Sequence, residues 1–110
     1  MKKINLGVLG PTGKMGSSII KESEQFPSFN IVSLCEKKGH HCLGEKIGQV
    51  QIIDNLEKCV KSSDVVIDFT TPETTLEILK ILQVEKEKAL VVGTTGFTNK
   101  QEKEFQKLSK

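Results

Sequence analysis

The sequence predicts an α/β fold: a doubly wound, mostly parallel sheet with strand order 3-2-1-4-5 and helices on both faces. Three observations support this prediction. Short apolar runs alternate with segments of helical periodicity along the 110 residues, a glycine-rich loop follows the first run, and polar side chains follow the later ones. Such alternation favours parallel strands, because each connecting helix packs in a right-handed sense on one face of the sheet.

The first strand is predicted at residues 4–9, a short apolar run that suits a strand buried on both faces. The helix that follows the glycines places Met15, Ile19 and Ile20 along one side. This helix is expected to end between residues 23 and 27.

The middle of the chain predicts two further strands and a short helix. Residues 29–35 form the second strand, and a polar segment then extends to Gly48, before a short third strand at residues 50–53. Asp54 or Asn55 can cap the short helix, because both side chains accept hydrogen bonds from free backbone N–H groups. The inward residues of this helix are Leu56, Cys59 and Val60.

Residues 65–69 give the clearest buried strand, and a helix start follows it directly. The start has a threonine cap, a proline in the first turn and an acid near the positive end of the helix dipole: Thr70, Thr71, Pro72 and Glu73. The apolar face of this helix consists of Leu76, Ile78, Leu79, Ile81 and Leu82.

The last strand is predicted at residues 89–92, where Gly93 stops it. Thr98 and Gln101 have the spacing of a capping box, which predicts a final helix. Its inward candidates are Phe105 and Leu108.

Composition excludes several classes of protein. With 36% hydrophobic and 27% charged residues the chain suits one soluble domain. Its apolar stretches are far shorter than the ~20 residues of a membrane span, and its first residues do not resemble a signal peptide, so we expect a cytoplasmic protein. A net charge of +2 and the absence of Trp and Tyr argue against nucleic-acid binding. The catalytic tyrosine of short-chain dehydrogenases is also missing.

The three cysteines are odd in number and form no CxxC pair, so we expect free thiols. Cys35, His40, His41 and Cys42 are close in sequence and raise the question of a metal site. They lie in a polar, glycine-flanked loop without a second ligand pair, which suits structural zinc poorly, and we expect no metal.

The loop at residues 7–16, GVLGPTGKMG, must be assigned to one of two phosphate-binding patterns. A P-loop requires Gly where Val8 stands and a hydroxyl residue where Met15 stands, so that pattern fails. Gly10, Gly13 and Gly16 instead recur every third residue between a strand and a helix. This is the arrangement that receives the pyrophosphate of a dinucleotide, although glycine is also common at any strand-to-helix turn.

An acid lies where a dinucleotide's ribose would need one. Glu36 follows Gly16 by 20 residues and directly follows the second predicted strand. In dinucleotide-binding folds an acid at this place accepts hydrogen bonds from the adenosine ribose; the alternative is an ordinary solvated loop acid. Lys37 and Lys38 stand where they would meet a 2′-phosphate, or they form part of a soluble face.

Three stretches together resemble one family. VLGPTGKMG at residues 8–16, VVIDFTTPETT at 65–75 and VVGTTGF at 91–97 are similar to motifs of the amino-terminal domain of dihydrodipicolinate reductases, in the same order. The resemblance spans nearly all of the chain. It implies a Rossmann-like domain and NADH or NADPH as cofactor. The implied reaction reduces a dihydrodipicolinate-level intermediate, a small dicarboxylate, in the diaminopimelate route to lysine.

The resemblance also implies roles for single residues. The pyrophosphate would be held by Gly10, Pro11, Thr12, Gly13, Lys14 and Met15. Glu36 would hold the adenosine ribose, and Lys37 would meet the phosphate of NADPH. The remaining cofactor contacts would come from Phe69, Thr70, Gly93, Thr94 and Thr95. Thr95 would also touch the substrate. The alternative for the threonine pair is ordinary turn chemistry at a strand exit.

The family's second domain, which carries an H-H-x-x-K motif and a later S-G-T-A stretch, has no counterpart here. His40 and His41 do not supply that motif, because Gly44 stands where its lysine should be. We therefore expect residues 1–110 to be an apparently truncated NAD(P)-binding domain without a catalytic residue. The full-length enzyme would be a homotetramer. The rival hypothesis, a non-catalytic module that senses NAD(H), explains the glycine loop and Glu36 but not the threonine-rich motifs.

Overall fold

The computed structural model describes residues 3–84, 87–94 and 96–108. This part of the chain contains six strands and four helices. In chain order they are β1 (Ile4–Leu9), α1 (Lys14–Ser23), β2 (Phe29–Cys35), β3 (Lys46–Ile47), β4 (Val50–Ile53), α2 (Leu56–Ser62), β5 (Val65–Asp68), α3 (Pro72–Leu82), β6 (Ala89–Val92) and α4 (Asn99–Leu108).

The sheet has the order β3-β4-β2-β1-β5-β6, and β1 lies near its centre with parallel partners on both sides. The predicted order 3-2-1-4-5 is confirmed for the five strands that the sequence indicated. The sixth strand, β3, is an addition at the edge: Lys46 pairs with Gln51 and Ile47 with Val50 in antiparallel register. The sequence pattern does not predict this strand, because two residues are too few to show a period.

The hydrophobic core lies on both faces of β1, since successive side chains of a strand point to opposite faces. On one face Leu9 packs with residues from β2, α2, β5 and α3, namely Cys35, Cys59, Val60, Val66 and Ile78. On the other face Val8 packs with Ile20 of α1, Leu34 and Ile52. This arrangement fixes the loops that follow the strands at one edge of a rigid sheet.

The predicted helix caps are confirmed where the structure describes them. Asn55, not Asp54, caps α2 by accepting a hydrogen bond from the Lys58 N–H at 3.0 Å. Thr71 caps α3 through the N–H of Thr74. Before α4, Thr98 and Gln101 exchange two hydrogen bonds of 2.9 and 3.1 Å, which is the reciprocal pattern of a capping box.

The inward face of α1 was predicted wrongly at one residue. Met15 is 60% exposed, and the buried positions are Gly16, Ile20 and Ser23. The helix turns Gly16 toward the loop that precedes it, so the neighbouring Met15 points outward. In α4, Phe105 and Leu108 are half-buried, as predicted for inward residues. Within the described part of the chain, every helix is too short or too polar to cross a bilayer.

Candidate functional site

The glycine loop connects the carboxyl end of β1 to α1 and needs glycine at two of its three positions for packing. Gly10 has φ +81°, and a Cβ there would lie 2.6 Å from the carbonyl oxygen of Phe69. A Cβ on Gly16 would lie 2.2 Å from the carbonyl oxygen of Gly10. Both distances are too short for real atoms, so these two glycines allow the loop, β5 and α1 to approach one another.

Gly13 differs from its two neighbours. A Cβ there would meet only the Gly10 oxygen at 3.6 Å, which is an ordinary contact, and the residue is exposed. Gly13 is also the N-cap of α1 and provides no side-chain cap, whereas Asn55 and Thr71 cap α2 and α3. The first turn of α1 therefore directs backbone N–H groups and the positive end of the helix dipole toward open space, where an anion fits.

The other loop residues predicted from the sequence to hold the pyrophosphate differ in their exposure to solvent. Pro11 is buried, and Thr12, Lys14 and Met15 are exposed around the start of α1.

Glu36 directly follows β2 and faces the glycine loop. Its backbone N–H donates to the Ile53 carbonyl at 2.9 Å, which fixes the residue against β4. Its side chain is only 11% exposed. One carboxylate oxygen, Oε2, accepts hydrogen bonds from the Thr12 N–H at 3.1 Å and from the Thr12 hydroxyl. The other oxygen, Oε1, lies 3.8 Å from Nε2 of His40. The sequence spacing that singled out Glu36 thus does bring it to the loop.

A cavity of about 570 Å³ opens beside this acid, a volume typical of small-molecule pockets. Its walls come from the ends of β1, β2, β4 and β5 and from α3. They include Gly10, Glu36, Lys37, Lys38, Asp54, Phe69, Thr70, Thr74 and Glu77. Both lysines are exposed, so they contribute positive charge at the rim and not inside a buried pair.

The second group of predicted residues follows β5 and β6 and is organised by Asp68. This aspartate is fully buried at the end of β5. Its carboxylate accepts hydrogen bonds from the Thr70 N–H at 3.0 Å and from the hydroxyls of Thr70 and Thr75. The Thr70 N–H also donates to the Thr94 hydroxyl at 3.2 Å. Thr70 therefore links the buried Asp68 carboxylate to the Thr94 hydroxyl.

The contacts of Asp68 with Thr70 and Thr75 were not predicted from the sequence. An acid inside the otherwise apolar run at residues 65–69, followed by two threonines, was the available signal. Buried carboxylates need hydrogen-bond donors nearby, and the adjacent hydroxyls provide them.

Phe69 and Gly93 form a close pair on the same side. A Cβ on Gly93 would lie 2.2 Å from Cε1 of the Phe69 ring. The ring therefore covers the Gly93 backbone, and glycine is needed there for the ring to keep its place. Thr95, the other residue predicted on this side, lies outside the described residues.

The cysteines have the character of packing residues. Cys35 and Cys59 are buried together in the core. The hydrogen bond with Cys59, followed by burial, raises the pKa of the Cys35 thiol. Partial burial and the nearby Glu45 carboxylate raise the pKa of the Cys42 thiol. Neither Cys35 nor Cys42 is therefore activated toward the thiolate.

His40, His41 and Cys42 have potential metal-ligand atoms within 4.8 Å of one another. The two imidazoles are stacked, with centroids 4.6 Å apart and planes inclined by 18°. Their in-plane lone pairs therefore lie in two nearly parallel, separated planes and do not converge readily on one ion. Nδ1 of His40 already accepts a hydrogen bond from the Cys42 N–H at 3.0 Å. This geometry suits a chelate poorly.

Comparison with known proteins gives a consistent result. A family model described as dihydrodipicolinate reductase, N-terminus, matches residues 4–110. A 4-hydroxy-tetrahydrodipicolinate reductase of Pelagibacter ubique is 44% identical over all of this chain, which covers 41% of that protein. The enzyme of the same name from Methanococcus aeolicus is 37% identical over 96% of this chain and 43% of its own length.

Solved structures agree with these relatives. A dipicolinate-bound dihydrodipicolinate reductase from Paenisporosarcina superposes with a TM-score of 0.74 and 26% identity, over 97% of this chain and 43% of that one. A homoserine dehydrogenase of S. aureus reaches the same TM-score at 18% identity, over 99% of this chain and 30% of that one, and shares the fold. The chain spans about two fifths of the length of the curated relatives that it matches.

Proposed function

Since the chain belongs to the dihydrodipicolinate reductase family, we propose that it is the part that binds the nicotinamide dinucleotide of a 4-hydroxy-tetrahydrodipicolinate reductase. The whole enzyme would reduce the dihydrodipicolinate-level intermediate to tetrahydrodipicolinate in the diaminopimelate route to lysine. The name of the dipicolinate-bound relative supports a small dicarboxylate as substrate. We also propose a cytoplasmic location and a homotetramer for the whole enzyme.

One observation carries the binding proposal: at the ends of β1 and β2, Glu36 is hydrogen-bonded to Thr12, the residue directly before the open Gly13. A Cβ on Gly10 or Gly16 would overlap a backbone oxygen, but Gly13 leaves room where a Cβ would project. An uncapped helix start lies behind it, and a nearly buried carboxylate lies beside it. A pyrophosphate joined to an adenosine ribose has the charge and the hydroxyl donors that this pair of features accepts.

The cofactor supplies the hydride, and the residues of this chain bind and orient it. The N–H groups between Gly10 and Met15 bind the pyrophosphate, and Glu36 accepts hydrogen bonds from the ribose hydroxyls. Phe69, Thr70, Gly93 and Thr94 line the nicotinamide side, where the Asp68 network keeps them in place. A contact between Thr95 and the substrate remains part of the proposal.

Both NADH and NADPH are proposed to bind. Glu36 favours NADH, because a carboxylate accepts hydrogen bonds from ribose hydroxyls and repels a 2′-phosphate. The exposed lysines at positions 37 and 38 oppose that preference through their positive charge.

Calorimetric titration of the purified chain with NADH and with NADPH tests the proposal. Both cofactors should bind, and Gly13→Val should abolish binding while circular dichroism stays unchanged, because the branched side chain fills the pyrophosphate's approach. Gly13→Ala serves as the graded control and should give an intermediate affinity. A folded Gly13→Val variant that binds either cofactor as tightly as the parent chain would show that the dinucleotide lies elsewhere.

A second measurement concerns catalysis. Residues 1–110 with substrate and either reduced cofactor should show no oxidation above background, because the proton donor is expected in the family's second domain. Sustained turnover by a pure sample would place that donor in this chain. The sensor alternative shares the binding result but has no specific observation in its favour, since the family match covers the threonine-rich motifs as well.

A further inference from the structure

His40 is the one described imidazole in contact with the proposed ribose-binding acid. Its Nε2 lies 3.8 Å from Oε1 of Glu36 and 3.4 Å from the Thr12 hydroxyl. The side chain is 16% exposed, against 11% for Glu36, so solvent screens this pair less than a surface ion pair. Nothing in the sequence pattern pointed to this contact.

The position of the ring is fixed from three sides. The His40 N–H donates to the Lys37 carbonyl at 3.1 Å, which closes a turn after β2. Nδ1 accepts the Cys42 N–H, so in the neutral ring the proton resides on Nε2. His41 stacks on one face of the imidazole. Nε2 therefore remains directed at Glu36 and Thr12.

Protonation changes what this ring offers to the acid. The neutral ring accepts the Cys42 N–H at Nδ1, so protonation at this atom breaks that hydrogen bond and places a full positive charge beside the Glu36 carboxylate. Imidazoles as a class change charge between about pH 8 and pH 5. The charge would partly neutralise Glu36 at the place where NADPH has a 2′-phosphate and NADH a hydroxyl.

We propose that His40 is a specificity-determining residue that couples proton concentration to the choice between the two dinucleotides. The proposal rests on the proposed function, in which Glu36 faces the adenosine ribose. The neutral His40 leaves the carboxylate free to repel a 2′-phosphate. The protonated His40 offsets that repulsion, and so acidification raises the affinity for the phosphorylated cofactor relative to the other.

Other titratable groups near the ring have to be separated from this effect. They are Glu36, His41 on the stacked face, Lys37 and Lys38 in the preceding turn, and Cys42 with its neighbour Glu45. The 2′-phosphate itself loses charge as the pH falls through about 6, which weakens its binding and opposes the proposed effect. Because the phosphate titrates identically in every variant, a comparison of variants isolates the contribution of His40.

The test is a calorimetric titration of the chain with NAD⁺ and NADP⁺, the acid-tolerant oxidised forms, at several values between pH 8 and pH 6. The measured quantity is the ratio of the two dissociation constants in the parent chain, in His40→Gln and in His41→Gln. His40→Gln keeps a polar side chain of similar length without the titrating charge, and His41→Gln is the matched control. Circular dichroism at each pH establishes that all three are folded.

We expect acidification to favour NADP⁺ by about threefold to tenfold more in the parent chain than in His40→Gln, as for one partly buried charge pair. His41→Gln should keep the pH dependence of the parent. If the ratio of the two dissociation constants changed equally with pH in the parent chain and in His40→Gln, the proposed role of His40 would be wrong. It would also be wrong if the pH dependence were lost only in His41→Gln. If neither dinucleotide bound any folded variant, the proposed function itself would be wrong, which is a separate outcome.

Discussion

The two halves of the proposed site are built differently. The half at the ends of β1 and β2 contains Gly10, Thr12, Gly13, Glu36 and His40. Its polar groups meet near the surface at the Glu36 carboxylate. One oxygen of this carboxylate accepts hydrogen bonds from Thr12, and the other faces the His40 imidazole at 3.8 Å, beyond hydrogen-bond range. The half at the ends of β5 and β6 contains Asp68, Phe69, Thr70, Gly93 and Thr94. Here the polar groups converge on a fully buried carboxylate.

Because of this difference, substitutions should mainly affect ligand binding in the first half and mainly affect folding stability in the second. In the β1–β2 half a side chain can be changed with little loss of packing, because Gly13 and Thr12 face solvent. In the β5–β6 half the same groups that would orient a ligand also satisfy a buried charge. Substitutions there should unfold the protein before they report on a ligand. Four predictions test this contrast, from the largest expected effect to the smallest.

The largest effect is expected for Asp68→Ala. It removes the acceptor of the buried Thr75 hydroxyl and the carboxylate acceptor of the Thr70 hydroxyl and N–H, of which the N–H keeps only the Thr94 hydroxyl. The free energy of unfolding should fall by about 2–4 kcal/mol. Urea unfolding followed by circular dichroism measures it, with Asp54→Ala, which removes an exposed acid, as the control. A loss below about 1 kcal/mol would mean that the carboxylate network adds little.

Gly16→Ala is expected to come next, and Gly13→Ala sharpens the comparison within one loop. The Cβ on Gly16 would overlap the Gly10 carbonyl, whereas the Cβ on Gly13 would not touch any atom closely. Unfolding free energies should fall by about 1–3 kcal/mol for Gly16→Ala and by about 0.5 kcal/mol for Gly13→Ala. Equal losses in parallel urea titrations would contradict the distinction between a packing glycine and a ligand glycine.

Glu36→Ala should affect binding more than folding. NADH should bind about tenfold more weakly, because hydrogen bonds from the ribose to a carboxylate are lost. NADPH should change by less than about threefold, since the repulsion of its 2′-phosphate disappears as well. Titration calorimetry gives both constants, and Glu45→Ala removes the same charge from an exposed position nearby. Equal loss for both cofactors would indicate that Glu36 acts only by holding Thr12.

The smallest effect is expected for Lys37→Ala. The lysine is exposed, so its attraction for a 2′-phosphate should amount to ~0.2–1 kcal/mol at low salt. NADPH binding should weaken accordingly, NADH binding should not, and added salt should move the parent chain toward NADH. Lys58→Ala, on the exposed side of α2, is the control. If the ratio of NADH to NADPH affinity did not depend on salt, and Lys37→Ala bound NADPH as tightly as the parent chain, Lys37 would be an ordinary surface residue.

The sequence predicted what local patterns determine and missed what depends on packing between distant segments. Strand order and the caps at Asn55, Thr71 and Thr98 follow from periodicity and from short spacings, and they were found correctly. The prediction that Met15 shares the inward side of α1 with Ile19 and Ile20 was wrong, because the close approach of Gly16 to the Gly10 carbonyl sets the rotation of the helix.

The polar side chains of the site show the same division. Glu36 was found because its distance from Gly16 is a fixed feature of the fold. Its contacts with Thr12 and His40 were missed, because the path of the segment after β2 has no period. The addition of β3 has the same cause, since its two residues gain their strand character from pairing with β4.

The three glycines of the loop also differ in what their replacement would reveal about descent. Gly10 and Gly16 are needed by any protein that keeps this strand, loop and helix in place, whatever it binds. Packing does not require Gly13, which in the proposed function is needed only while a ligand occupies the space in front of it. A lineage that kept the fold and abandoned the dinucleotide should therefore lose the middle glycine before Gly10 or Gly16, and position 13 would record that change.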